Sequence, residues 1–174
     1  NRLKNNPKLC QMVFANAHKN VAPSGYLKKA FESEGFTNVI YIPNSIEIEK
    51  YKFKERIEFA PRLLWVRAFA SIYNPQMAVK VLQQLQEKYP SASLTMVGPD
   101  KDGSLQTTKA FTDSIGVAVN FTGQLAKEDW WKIASEHDIF INTTHFDNTP
   151  ISVMEAMALG LPVVSTNVGG IPYL

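Results

Sequence analysis

One cysteine, Cys10, stands in the 174 residues, so no disulfide can close within the chain and no cysteine cluster can hold a metal. That scarcity favours a reducing compartment, and the expected location is cytoplasmic. No apolar run approaches the roughly 18 to 20 residues that a membrane span needs, and the polar start NRLKNNP lacks a signal-peptide layout. Charge of one sign is scarce too. Eighteen Lys and Arg against 16 Asp and Glu leave +2 with no run of five like charges, which argues against a nucleic-acid partner. His18, His137 and His145 have no metal-ligand spacing. Gly98 to Gly103 is neither a dinucleotide fingerprint nor a P-loop, and there is no internal repeat or low-complexity tract.

What the chain does have is a globular composition, 45% hydrophobic and 20% charged, at a length that can bury a core. Ser24 can cap a helix running through Tyr26, Leu27, Ala30 and Phe31 to a stop at Gly35, after an earlier helical stretch from Leu9 to Ala17. NVIYIPNS at 38–45 reads as a buried strand with a Pro-Asn turn, and 46–61 is charged without a firm period. From there apolar runs alternate with helices: strands at 62–66, 93–98, 118–123, 138–144 and 161–166, helices near 75–89, 105–115, 127–137 and 150–159. This is an α/β pattern, a Rossmann-like parallel sheet with helices on both faces. The expected domains are an incomplete first one at 1–45, a linker at 46–61 and a second at 62–174, incomplete at its carboxyl end.

Ligands of such sheets sit beyond the carboxyl ends of the strands. There lies HFDNTPISVMEAMALGLPVVSTNVGG, in which Thr149 can cap a helix, Pro150 suits its first position, and Gly160 with Pro162 ends it. Between Pro150 and Leu159 only Ser152 and Glu155 are polar, three apart on one face, with Thr149 continuing the line. Two readings follow. Glu155 lies on the wet side of the helix, or it lines a cleft and accepts hydrogen bonds from adjacent hydroxyls such as those of a ribose, while the helix start receives a phosphate.

DNTPISVMEAMALGLPVVSTNVGG also resembles the signature of the family 4 (GT4) glycosyltransferases, GT-B-fold enzymes that use nucleotide sugars with retention of configuration. That signature has two acids separated by seven residues, then EAMA.G.PVV and a GG loop; Asp147 takes the place of the first acid and Glu155 of the second. The first acid is usually glutamate, and NTP replaces the common GFG. The resemblance implies that Asp147 orients the donor sugar, Glu155 holds the ribose, and Asn148, Thr149, Pro150, Ile151 and Ser152 contact the donor. Arg67 falls where the family's arginine holds the diphosphate. The lysine that commonly follows is absent from ASIYNP, where Tyr73 or Asn74 can supply a hydrogen bond but no charge. Gly98 in VGPDKDG matches the glycine loop, and Gly123 and Gln124 in FTGQL match the segment near the base. Asp100 and Asp102 form an acid-x-acid pair that an Asp- and Gly-rich turn produces readily. Gly169 and Gly170 suit a close backbone approach, and Tyr173 stands where many relatives carry glutamate.

The expectation is therefore a piece of a GT4-like glycosyltransferase, the end of an acceptor domain and most of a donor domain, inactive by itself. Its partners would be a nucleotide-diphosphate sugar and a glycan, lipid or small-molecule acceptor, without nucleic acid and without a metal or other cofactor. Peripheral membrane contact would come through the amino-terminal domain. Arg67 and the helix start from Pro150 to Ser152 would meet the leaving-group charge. The alternatives are a GT-B-fold sugar-nucleotide epimerase and a non-catalytic nucleotide-sugar-binding relative.

Overall fold

In the computed structural model, which describes residues 5–174, two parallel sheets follow one another along the chain. The first is small: α1 (Pro7–Asn16), β1 (Asn20–Ala22), α2 (Gly25–Ser33) and β2 (Val39–Tyr41), with β1 paired to β2. Phe14 packs against Phe31 and Phe36, with ring centroids 4.9 and 4.2 Å apart. The Asn38 side chain accepts a bond from Asn20 and donates to the carbonyl of Phe14. Ser24 caps α2 by accepting from Leu27 N–H at 3.0 Å. Strand β1 has three residues, too few to show an alternating pattern, which is why the sequence does not announce it.

The larger sheet is built from β3 (Arg62–Val66), β4 (Ser93–Val97), β5 (Asn120–Gly123), β6 (Ile139–Asn142) and β7 (Val163–Ser165). Its order is β5-β4-β3-β6-β7, all parallel, so the chain winds outward from β3 in one direction and then in the other. Helices α3 (Pro75–Lys88), α4 (Ser104–Ile115), α5 (Lys127–Ala134) and α6 (Ile151–Ala158) make the crossovers. This is the expected Rossmann-like α/β architecture. Side chains of a strand alternate between faces. Leu63 and Trp65 accordingly join Ala78, Val79 and Leu82 of α3 in one core, and Leu64 and Phe140 join Trp130 and Ala134 of α5 and Val153 and Ala156 of α6 in another. Both faces are buried, which explains the continuous apolar strands. No helix among the described residues is long and apolar enough to cross a membrane.

The charged segment 46–61 lies against the larger sheet's helices. Its Lys54 N–H donates to Leu159 O at 3.3 Å, and Gly160 is tight beneath it: a Cβ there would stand 2.3 Å from Lys54 O. Arg56 spreads its guanidinium over three carbonyls at the ends of α5 and α6, those of Ala134 (2.8 Å), His137 (2.8 Å) and Leu159 (3.0 Å). Helix carboxyl ends leave carbonyls without internal partners and carry partial negative charge, so one cation closes both. His137 ends the turn after α5, its ring nitrogens on Ile133 O at 2.7 Å and Thr95 Oγ1 at 2.9 Å.

Arg56→Ala strips those carbonyls of a charged donor and should lower stability by about 1–3 kcal/mol, read as a fall in the urea midpoint. Burial pushes the His137 imidazole below its ordinary value of 6.5. The folded state therefore resists the proton that the unfolded chain accepts. Stability is full above that ordinary value and falls as pH drops below it, and denaturation at stepped pH should show a fall that is smaller in His137→Asn.

Candidate functional site

Strand order reverses between β3 and β6, and loops leaving these neighbours diverge to open a crevice. Arg67 follows β3 at once, and Asp147 stands in the loop after β6. The two form an ion pair, Arg67 Nη2 donating to Asp147 Oδ2, with side chains only 16% and 17% exposed. The guanidinium also lies over the Tyr73 ring, 4.8 Å from its centroid. Burial pushes the Arg67 pKa down, yet an arginine this basic stays charged, and the carboxylate opposite answers that charge.

Both loops are fixed by glycines at close approach. Arg67 N–H donates to Val97 O at 3.0 Å, and Gly98 N–H to Gly123 O at 2.8 Å, so the loops after β3, β4 and β5 are stitched together. Gly98 has φ +149° and no room for a side chain, since a Cβ would stand 1.8 Å from Arg67 O. On the other side Gly170 N–H donates to Asp147 O at 2.8 Å. A Cβ on Gly169 or Gly170 would meet the carbonyl oxygens of Asp147 and Asn148 at 2.1 and 1.9 Å. The close approach of this glycine pair is to the 147–148 backbone.

A cleft of about 380 Å³ opens over these loops, walled by Arg67, Tyr73, Gly98, Gln124, Lys127 and Ser152 among others. Arg67 Nε and Ser152 Oγ are buried there without a hydrogen-bond partner, as is Asn148 Oδ1 in the adjoining loop. Buried polar atoms ordinarily find partners, so these mark where a polar ligand fits. A larger cavity of about 440 Å³ lies between Lys50, Lys52 and Lys54 and the carboxyl end of α5, away from the strand ends. Trp131 Nε1 is buried without a partner in that wall too, so the choice rests on position: ligands of such sheets sit beyond the carboxyl ends of the strands, where Arg67 and Ser152 stand.

Glu155 is 3% exposed, so it does not lie on a wet helix face. Its Oε1 accepts from Tyr51 Oη and Lys127 Nζ, both at 2.9 Å. The Tyr51 hydroxyl is pushed up to about 12, by burial first and then by the carboxylate beside it, and its ring packs on Trp131 at 4.6 Å. Neither partner is suggested by the sequence pattern: Tyr51 lies in the aperiodic charged segment, and Lys127 is an ordinary first residue of a helix. Only the adjacency of Lys127 to FTGQL could have pointed to it.

The expected cap at Thr149 is not formed. Its hydroxyl donates instead to Pro23 O at 3.0 Å, and its carbonyl accepts from Asn44 at 3.1 Å, both in the amino-terminal part of the chain. Pro150 occupies the capping position itself and α6 begins at the exposed Ile151 with no side-chain cap, leaving the N–H groups of Ile151 and Ser152 without intrahelical acceptors. The polar line of Thr149, Ser152 and Glu155 therefore divides: the first ties down the loop, the second faces the cleft, the third is buried. Asp100 and Asp102 fasten their own turn. Asp100 accepts from Gly103 N–H at 2.9 Å; Asp102, held at about 2 chiefly by the Ser104 hydroxyl, accepts from Ser71 N–H at 2.9 Å. Among the described residues no three metal-ligating side chains gather.

Residues 47–174 match the glycosyl transferases group 1 family. The chain belongs to this family. It is 30% identical over 97 residues to the sulfoquinovosyl transferase SQD2 of Arabidopsis thaliana, covering 56% of this chain and 18% of that protein. It is 29% identical over 138 residues to the amylovoran biosynthesis glycosyltransferase AmsK of Erwinia amylovora, covering 74% and 34%. Among solved structures, Anabaena Alr3699/HepE in complex with UDP and glucose superposes with a TM-score of 0.77 at 19% identity over 90% of this chain and 46% of that one. The chain spans less than half the length of each of these proteins. The fold is that of GT-B glycosyltransferases.

In this group 1 glycosyl transferase chain, Tyr51 anchors the segment before β3 to a buried charge. Tyr51→Phe removes one of two donors to that carboxylate and should cost about 1–3 kcal/mol of stability, measured by urea denaturation. An unchanged midpoint would show that Lys127 alone satisfies Glu155.

Proposed function

We propose that the protein transfers a sugar from a nucleoside diphosphate to a hydroxyl of a glycan, lipid or small acceptor, with retention, in the manner of the GT4 subfamily. The observation that carries this is the convergence of unpartnered donors, Arg67 Nε and Ser152 Oγ, with the free start of α6 in the switch-point cleft. Such a site suits a diphosphate. The sequence match to Asp147 and Glu155, and the UDP and glucose bound by the HepE relative, support the same reading. The family match favours transfer over the epimerase alternative.

In the reaction, the bond from the anomeric carbon to the diphosphate breaks, a bond to the acceptor oxygen forms on the same face, and the acceptor hydroxyl passes its proton to the departing diphosphate. Negative charge grows on the departing diphosphate, where Arg67 and the α6 start stabilise it without a metal. Asp147, still held by Arg67 through Oδ2, orients the sugar through its hydroxyls, while the unpartnered Arg67 Nε meets the phosphates. Glu155 has Oε1 committed to Tyr51 and Lys127, so Oε2 is the oxygen it would offer a ribose. Gly98 lets its backbone pass close to the donor, and Gly123 and Gln124 lie near the base. Residues 62–174 form the donor domain, 46–61 the connection, and 1–45 the end of the acceptor domain. The whole enzyme, rather than this stretch, performs the transfer, in the reducing cytoplasm that a lone cysteine suits.

A ligand-observed NMR screen of UDP-, GDP- and ADP-sugars against the full-length protein tests the reading, and binding of none would overturn it. Glu155→Gln should weaken donor affinity by about 1–3 kcal/mol; unchanged affinity and turnover would remove its ribose role. Arg67→Ala should depress turnover more than binding, because leaving-group charge peaks in the transition state. Equal losses would make Arg67 a ground-state anchor.

A further inference from the structure

The cleft wall holds two cations, Arg67 and Lys127, and each already faces a carboxylate. Arg67 is matched by Asp147 and Lys127 by Glu155, so the four side chains sum to zero. A nucleotide-sugar diphosphate brings a negative charge on each of its two phosphoryl groups. An anion of that charge gains little from a neutral set of partners unless the carboxylates give up their cations to it.

The two pairs are not equally able to do so. Asp147 and Arg67 are both largely buried, whereas the Lys127 side chain is 61% exposed against 4% for Glu155. Lys127 is the first residue of α5 and lines the same cleft as Ser152 at the start of α6, and it carries its ammonium on a flexible stem. Leaving a buried carboxylate with no partner would be costly. Glu155 escapes that cost, because Tyr51 Oη remains on the same Oε1 at 2.9 Å when Lys127 departs. Asp147 would keep only a backbone donor, the Asn148 N–H at 2.8 Å on Oδ1, and its Oδ2, which Arg67 holds, would be left bare.

Resting on the proposed donor site, we propose that Lys127 is a second diphosphate-binding cation, parked on Glu155 in the free protein and passed to the donor phosphates on binding. The role is one of binding and positioning: no bond to Lys127 forms or breaks. It predicts a division between phosphate and nucleoside recognition. A residue that only held Glu155 in place would affect the ribose, and hence nucleoside and nucleotide alike.

The test compares UDP, GDP and ADP with uridine, guanosine and adenosine on the full-length protein by calorimetry, at two salt concentrations, for wild type, Lys127→Met, Lys127→Arg and Arg67→Ala. Lys127→Met should weaken the nucleoside diphosphate that binds by about tenfold, the scale of one charge-assisted contact, flatten its salt dependence, and leave the matching nucleoside unchanged. Lys127→Arg, which keeps the charge and the partner for Glu155, should stay close to wild type. Equal weakening of nucleoside and diphosphate would overturn the proposal and leave Lys127 as a support for Glu155. An unaltered diphosphate affinity in Lys127→Met, alongside a loss in Arg67→Ala, would overturn it while sparing the donor site. If wild type binds none of the three diphosphates, the donor site itself falls.

Discussion

A carboxylate taken out of water must find compensating donors, and much of the arrangement around the larger sheet follows from meeting that demand at Glu155. The residue sits in the middle of α6, among Val153, Ala156 and Leu159, which pack against the sheet. Its Oε1 draws Lys127 from the start of α5 and Tyr51 from the segment before β3, so three separate stretches converge on one oxygen. Trp131 then seals the Tyr51 ring from the far side. The cleft is what remains between the walls so positioned.

The switch point supplies the second constraint. Loops leaving β3 and β6 diverge there, and each delivers a charged side chain to the gap, where the charges neutralise one another as Arg67 and Asp147. Backbone contacts behind them are tight enough to exclude any side chain at Gly98, Gly169 and Gly170. The site is thereby rigid in its backbone and adjustable in its charges. A polar ligand would exchange partners with these groups rather than move the loops.

Local signals were legible in the sequence wherever a single segment determined the outcome. Strand β3 has the bounds that RLLWV suggests, because apolar residues run to its last position, and Ser24 caps α2 as a serine before an amphipathic stretch should. The two acids and Arg67 also stood out, since a carboxylate on an apolar helix and a cation at a strand end both need explaining. What the sequence withheld was long-range. Thr149 has a capper's chemistry, but Pro23 O, 126 positions away, takes its hydroxyl. Glu155 and its tyrosine are 104 positions apart, and nothing in the charged stretch around Tyr51 singles it out. Arg56 was equally invisible: a guanidinium serving two helix ends looks, in one dimension, like any charge in a polar tract.

The position of Tyr51 bears on how members of this family diversify. Modular proteins exchange specificity by recombination at domain borders, and the natural cut in this chain would fall just before β3. A graft made there would separate Glu155 from Tyr51 and the helix ends of α5 and α6 from Arg56. The unit that holds this cleft together therefore begins upstream of the sheet, with the segment before β3 travelling alongside the sheet it braces.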